Sequence, residues 1–427
     1  MTRLRVLICG AGVAGNGLAF WLTKLGHDVT VIERSPELRT AGLQLDLRSQ
    51  AIDVIKRMGL EDVIRAKCVP ERGMQLVDTH DRRWGFLPAN TSGEGKQTMT
   101  SEYEIMRVDL CQALYAGARD RVKYIFGTSV SKFIDDENGA VKVQFDSGIA
   151  GTFDFVVGAD GLNSRTRRMM LGPDTPDALH HLGEHIAYFQ VPNGMQEEED
   201  YTATAYFATS GRFVLTRRHN AHQLQVYLTA SNMGARLQGV QRGDTGAEKR
   251  AFIAEFSGMG WKVDELLQLM QESDDFYCQR EGFVKLDTWN CGLVVLVGDA
   301  GFCCSVNGFG TSSALIGAYI LAGELARHVI HDTISDSQEG QAVVDKDVQT
   351  ALGEYERKLR PLITKLQKGL GEPNWLGGME MKVWHLRLLY WIVWVASTLK
   401  VYKLIDLVPD QGAGWDLPEY PELMSQM

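Results

Sequence analysis

Glycines at Gly10, Gly12 and Gly15, spaced by Ala11, Val13 and Ala14, make the first chemistry-bearing pattern in the chain. In such a pattern the first glycine permits a tight turn and the second lets bare backbone approach a pyrophosphate. The third lets a helix pack on a strand. The free N–H groups and partial positive charge of the helix start then favour phosphate. Glu33, about 20 residues on, stands where a carboxylate accepts from ribose hydroxyls, and Arg34 lies beside it. The chemistry is dinucleotide binding, and this motif alone does not choose between FAD and NAD.

The elements around the motif must be strand, turn, helix and strand. Residues 4–9 are an apolar run of strand length, 14–25 have helical periodicity with Gly26 as a left-handed cap, and 29–33 form a second apolar strand. Together they make one βαβ unit. Further helices are expected at 50–58, ended by Gly59, and from about 108. Strands are expected at 141–145 and 151–157. From about 183 to 230 the pattern turns to period two, which predicts a mostly antiparallel sheet. A parallel-type strand at 293–297 leads into a helix over 311–331. Residues 332–347 are polar, acidic and aperiodic, and so are expected to form a loop. A charged amphipathic helix over 349–370 should break at Pro361.

At 427 residues, two or three packed regions are expected. The net charge of -10 argues against nucleic acid or an anionic membrane as the main partner. Seven scattered cysteines imply no disulfide framework and suit a reducing compartment. No signal-peptide pattern and no run of roughly 20 apolar residues occurs, so a cytoplasmic location is expected. Residues 388–399 come nearest to such a run, bracketed by Lys382, Arg387, Lys400 and Lys403. They fit a docked, mostly buried helix. They also fit an interfacial helix with Trp384, Trp391 and Trp394 near headgroups, giving peripheral membrane contact, or a surface that receives an apolar substrate.

Two later segments choose the cofactor through a resemblance. Residues 155–167, with Asp160, Gly161, Ser164, Arg165 and Arg167, resemble the Asp-Gly motif of flavin-dependent aromatic hydroxylases. Residues 296–301, with Gly298, Asp299, Ala300 and Gly301, resemble that family's Gly-Asp motif. In order and spacing the three motifs are similar to those of class A FAD-dependent monooxygenases, nearest to the tetracycline-inactivating and polyketide-tailoring members, over roughly residues 1 to 370. The resemblance implies that Asp299 bonds ribityl hydroxyls and that Asp160 holds the turn near the pyrophosphate, beside the path of the nicotinamide cofactor. It implies that Arg107 reaches the FAD from a helix start and that Asp46 and Arg48 pass near the isoalloxazine edge. Gly308, Gly310 and Thr311 then open a helix toward the flavin pyrimidine. It further implies that NADPH binds transiently, reduces the flavin and leaves, after which O₂ forms an electrophilic C4a-hydroperoxyflavin.

One departure stands out. The family's proline after Gly-Asp-Ala is missing from residues 301–308, and the loop is one residue short. Cys303 and Cys304, adjacent there, fit either a tightly packed loop or a strained disulfide. His181 and His185 lack a third ligand nearby, so no metal is expected. The substrate base is open among Tyr206, Arg212, His222, Gln225 and Tyr227. Period two puts Gln223, Gln225 and Tyr227 on one strand face without saying which way it looks.

The expected fold is α/β: a Rossmann-type FAD-binding domain from residues 1–75, 101–175 and 281–345, an inserted, mostly antiparallel β substrate domain from 76–100 and 176–280, and a helical C-terminus from 346–427. The expected function is NAD(P)H-dependent hydroxylation or epoxidation of a sizeable apolar aromatic or polyketide-like molecule. Two alternatives stay open: a flavoenzyme of the same fold without oxygen insertion (reductase, dehydrogenase or isomerase), and a non-catalytic flavin-binding protein. A flavin halogenase is disfavoured because no Trp-x-Trp-x-Ile-Pro element occurs.

Overall fold

The structure is a computed structural model that describes residues 3–38, 42, 44–90, 101–135, 140–231, 233–304, 308–329, 338–371, 382–401, 412 and 414–424. Strand Arg5–Cys9, buried after its first residue, hands the chain through Gly10 to helix Val13–Lys24. Strand Asp28–Glu33 then pairs parallel with the first, Leu7 opposite Thr30. Four further strands complete a six-stranded sheet in the order Asn290–Cys291, Val294–Leu296, Phe155–Gly158, Arg5–Cys9, Asp28–Glu33, Lys123–Phe126. All its pairings are parallel except that between Asn290–Cys291 and Val294–Leu296.

The glycine turn is fixed by contact as well as by dihedral angle. Gly10 has φ +114°, and a Cβ there would lie 2.5 Å from the Ala159 carbonyl oxygen. A Cβ at position 15 would lie 1.9 Å from the Gly10 oxygen, so helix and strand approach to a distance only glycine permits.

A seven-stranded sheet forms the second region, in the order Phe276–Val284, Leu179–Pro192, Gln223–Ser231, Arg212–Arg217, Thr202–Phe207, Gly73–Val77, Arg83–Pro88. It is antiparallel except where Thr202–Phe207 and Gly73–Val77 run parallel. Strand Gly73–Val77 crosses position 75 and Phe276–Val284 crosses position 280, so the sheet takes residues from both sides of the expected boundaries. Alternation divides its residues cleanly. Ala187, Val214, Val226, Leu228 and Tyr206 pack under helices Thr245–Phe256 and Val263–Glu272, while Tyr188, Tyr227, Ala205 and Leu215 face the other way. A two-stranded element, Gln44–Asp46 against Glu104–Met106, lies between the two large sheets in sequence.

Helix Gly310–His328 is buried along nearly its whole length. Tyr420 lies against it where a Cβ at Gly323 would fall within 2.3 Å of the ring, and its hydroxyl donates to Glu324. Two expectations about the following segment fail. Helix Gln338–Leu366 takes in residues 338–347, expected as loop, and it runs unbroken through Pro361. The reason is one buried stripe at helical spacing: Val344, Val348, Ala351, Tyr355, Leu359, Leu362 and Leu366. Burying that stripe outweighs the roughly 3 kcal/mol an internal proline costs. Residues 332–337 lie outside the described residues.

Helix Val383–Thr398 docks on strand Arg83–Pro88, yet only Tyr390 is buried, so the mostly buried reading of this segment is also corrected. Among the described residues no helix is long and apolar enough to cross a membrane.

The glycine contact yields a direct expectation. Gly15→Ala should lower stability by about 2 kcal/mol or more, because the new methyl must displace backbone. Thermal denaturation beside an exposed Gly234→Ala control would measure it; equal midpoints would contradict the contact.

Candidate functional site

A cleft of about 690 Å³ opens at the C-terminal ends of the parallel strands, where an open α/β sheet binds ligands. Gly10, Gly12, Glu33, Arg34, Arg107, Asp160 and Asp299 all line it. Gly12 has nothing within 4 Å of where a Cβ would sit, which leaves bare backbone facing open space. The Glu33 carboxylate accepts from the Ala11 amide at 3.0 Å and from the Ser35 amide at 3.0 Å, so it clasps the glycine turn while ending its strand. Ala14 and Gly15 serve the turn from behind: Ala14 is buried, and its Cβ would meet a Cβ at Gly298 at 3.0 Å.

Asp160 accepts from the Arg165 amide at 2.8 Å, the Thr166 amide at 3.0 Å and the Ser164 hydroxyl. It therefore holds the start of helix Arg165–Leu171 and the turn beside the cleft. Gly298 has φ +67° and releases the chain into Asp299. Asp299 Oδ1 is buried and has no hydrogen-bond partner. Burial raises the Asp299 carboxyl above its usual range, opposed by the charge of Arg107 and a hydrogen bond from Cys303. An orphaned buried acceptor in a cleft is what a hydroxyl-bearing chain satisfies, so these residues fit FAD. Arg107 begins helix Arg107–Ala118 beside Gly42 and lines the cleft.

Arg48 packs at the start of helix Gly310–His328 and does not line the cleft. Its amide donates to Ser312 at 2.9 Å, its guanidinium lies over Phe309, and a Cβ at Gly308 would sit 3.7 Å from it. Gly308 has φ +72°, and Gly310 and Thr311 open the 19-residue helix Gly310–His328, whose positive end faces this place. Residues 305–307 of the proline-free loop lie outside the described residues. Cys303 and Cys304 are buried and form no disulfide, Cys303 Sγ lying 3.6 Å from Gly282 O and Cys304 Sγ meeting Ser313 Oγ, so the packing reading of that pair is the one observed.

A smaller cavity of about 40 Å³ shares Arg107, Tyr277 and Gln279 with the cleft. Gln225 and Tyr227, both expected as candidates, line it. The other three candidates are elsewhere. Alternation turns Tyr206 to the opposite sheet face, where its hydroxyl donates to Met259 O at 2.6 Å. Arg212 shares that back face and donates to Glu255 O at 2.9 Å. His222 sits exposed in the hairpin at the end of its strand. Sequence reasoning missed Tyr188, Gln190, Asp275 and Tyr277, which line the chamber. Period two along 186–190 held the signal for the first two, since Tyr188 and Gln190 alternate with Ala187 and Phe189.

Behind Gln225 lies a buried polar network that was also missed. Gln225 Nε2 donates to Gln44 Oε1 at 3.3 Å, and Gln44 Nε2 donates to Glu71 at 3.0 Å and Glu104 at 3.2 Å. Arg217 binds Glu71 through two nitrogens, at 2.8 and 2.6 Å, and lies 3.1 Å from Glu104. Asp46 stands directly opposite Glu104 across the two-stranded element and pairs with Arg48 at 2.6 Å. Burial, with the Glu104 charge adding to it, pushes the Asp46 carboxyl up to about 7. Burial likewise pushes Glu71 up to about 7, against the pull of Arg217.

Two outcomes follow. Gly12→Ala should fold like the parent and yet bind FAD at least about tenfold more weakly, since its methyl enters only the ligand's space; fluorescence titration of apoprotein would show it. Asp46 holds its proton more tightly folded than unfolded, so its contribution to stability is full near pH 4 and lost as pH rises toward 7. Asp46→Asn should therefore lose less stability between pH 5 and 8 than the parent, by on the order of 1 kcal/mol or more. Urea titrations at both pH values would measure the difference. The buried His27, lowered to about 4 by desolvation, has the opposite slope and is common to both proteins.

Known proteins agree with this geometry. Residues 3–337 match the family described as FAD binding domain. The chain is 43% identical to the FAD-dependent monooxygenase asL4 of Sarocladium schorii, with all of both chains covered. It is 36% identical to the flavin-dependent monooxygenase eupH of Phoma sp, over 98% of this chain and 94% of the relative. Among solved structures, tetracycline destructase Tet(51) superposes with a TM-score of 0.72 at 27% identity, covering 98% of this chain and 100% of that one. The likeness extends past the three motifs to the seven-stranded sheet and the C-terminal helices, and the expected enzyme class holds: this chain belongs to the FAD-dependent monooxygenases.

Proposed function

We propose that the protein uses NADPH and O₂ to hydroxylate or epoxidise a sizeable, largely apolar aromatic or polyketide-like molecule held against the seven-stranded sheet. The observation that carries this reading is the chamber wall. Tyr188, Tyr227 and Tyr277 form one aromatic surface, with Tyr188 edge-on to Tyr227 at 5.1 Å and stacked on Tyr277 at 6.2 Å. Apolar walls with a few fixed polar groups are the usual make-up of small-molecule sites. Here those groups are Gln190, Gln225, Gln279 and Asp275. Gln190 Nε2 donates to Asp275 at 2.8 Å, while its Oε1 is buried without a donor. A substrate hydroxyl supplies that donor. The names of the relatives and the polycyclic substrate named for Tet(51) point the same way.

In this reading Gly10, Gly12 and the start of helix Val13–Lys24 hold the FAD pyrophosphate, and Glu33 the adenosine ribose. Asp299 takes a ribityl hydroxyl, and Asp46, Arg48 and the Gly308–Thr311 turn border the ring. Bound FAD supplies the redox chemistry with O₂ once a nicotinamide cofactor has reduced it. The protein orients the substrate on the tyrosine wall, excludes water, and sets the positive end of helix Gly310–His328 against negative charge on the flavin.

The test is a panel of substrates with NADPH under ¹⁸O₂. Polycyclic phenols or olefins should accelerate NADPH oxidation and acquire one labelled oxygen. Gln190→Leu should raise KM for hydroxylated substrates about tenfold, by leaving a substrate donor unpaired. Stimulation by small charged acids alone, or products without label, would overturn the proposal.

A further inference from the structure

Helix Val383–Thr398 is apolar around its whole circumference, yet only one side of it is covered. At about 100° per residue, Leu386, Tyr390, Val393 and Ser397 fall on one face. That face is fully engaged: Tyr390 donates to Val77 O at 2.8 Å, Ser397 Oγ accepts from the Phe86 amide at 3.0 Å, and Val393 packs on Gly85. The far side carries Trp384, Leu388, Trp391 and Ile392, flanked by Val383 and Trp394, with Trp384, Trp391 and Trp394 exposed by 59%, 56% and 48%. Of the 11 exposed large hydrophobic residues among those described, 8 lie between 383 and 401. A helix that is apolar all round is ordinarily buried all round, and an exposed apolar patch of this kind marks an interaction surface.

Charge decides the occupant. Residues 382–401 contain Lys382, Arg387 and Lys400 and no Asp or Glu, in a chain whose net charge is -10. None of the three cations makes an ion pair among the described residues. A second copy meeting this face across a twofold axis would set these cations against their own images, with no carboxylate on the segment to answer them. An anionic lipid surface answers both features. Tryptophans seat at the headgroup level, aliphatic side chains enter the acyl boundary, and the basic ends meet phosphate. The net negative charge of the remaining chain is screened within about 10 Å at ordinary salt, so the attraction is local and orients the protein.

We propose that helix Val383–Thr398 is a lipid-docking surface, lying in the plane of an anionic bilayer with its three tryptophans in the headgroup layer. Its inner face shares an apolar cluster with Tyr188, Tyr227 and Tyr277. The bilayer is thereby brought to the side of the molecule that carries the chamber. The surface is argued from exposure and charge and does not rest on the substrate proposed above.

The experiment uses full-length FAD-loaded protein and vesicles of phosphatidylcholine with and without phosphatidylserine. Co-sedimentation and tryptophan emission should show binding to the serine-containing vesicles, with a blue shift. Trp384→Ser/Trp391→Ser and, separately, Lys382→Gln/Arg387→Gln/Lys400→Gln should each weaken partitioning at least about tenfold. Neither should change FAD content or the thermal midpoint, since these side chains point outward. Absence of vesicle binding, or equal binding by the tryptophan variant, would overturn the proposal. So would a concentration-dependent dimer in light scattering that the tryptophan variant abolishes, which would assign the face to a second copy.

Discussion

The buried guanidinium of Arg217 is the interaction on which the geometry of the site rests. It reaches from the seven-stranded sheet to Glu71 and, across the two-stranded element, to Glu104, and all three side chains are almost wholly removed from solvent. The sheet carries the chamber wall, and the two-stranded element carries Asp46 and Glu104. Arg217 thus ties the sheet that lines the chamber to the two-stranded element. Such a cluster is a poor source of net stability, because desolvation consumes much of the Coulombic gain. Its value lies in direction. Breaking it by removing one partner leaves an uncompensated buried charge, so the two halves have one low-energy arrangement rather than several.

Three buried carboxylates, Asp46, Glu71 and Glu104, face two arginines, Arg48 and Arg217, in this interior. The imbalance has a physical outlet, which is that Asp46 and Glu71 keep protons to much higher pH than exposed carboxyls do. The hydrogen bonds of Gln44 and Gln225 carry the network to Tyr227, whose hydroxyl donates to Gln225 at 3.1 Å. The floor of the chamber is therefore polar and rigid beneath an aromatic wall. The chamber itself holds only a few water molecules at about 40 Å³, so admitting a polycyclic ligand requires side chains such as Arg107 or Tyr277 to move aside.

The flavin half was legible because its chemistry is backbone chemistry. Gly10, Gly12 and Gly15 are demanded by contacts that any side chain would break, and such demands leave an unmistakable spacing. Gly298 and Asp299 were legible only through the family's Gly-Asp motif, and they do line or adjoin the cleft. The chamber was not legible, because period two states that Gln225 and Tyr227 share a face without saying what that face meets. Tyr206 and Arg212 were lost by that ambiguity. The Arg217 cluster was out of reach for a different reason. Gln44, Glu104, Arg217 and Gln225 come from four separate strands and Glu71 from the stretch before a fifth, and nothing local to Glu71 or Glu104 distinguishes a buried carboxylate from a solvated one. Helix Gln338–Leu366 was shortened in prospect because Pro361 and an acidic stretch are strong local signals, and the buried stripe that overrides them is visible only once its partner helix is in place.

The ring of Tyr420, seated on Gly323 with its hydroxyl on Glu324, joins positions 96 residues apart in sequence. Helix Gly310–His328 is buried along nearly its whole length, yet one side of it is sealed by residues made long after it. On a ribosome adding roughly 5–20 residues each second, that helix waits several seconds with an apolar flank open before the tail arrives to close it. Synthesis order and burial order run in opposite senses here, and the nascent chain meets its period of greatest adhesiveness after its nucleotide-binding fold has already been translated.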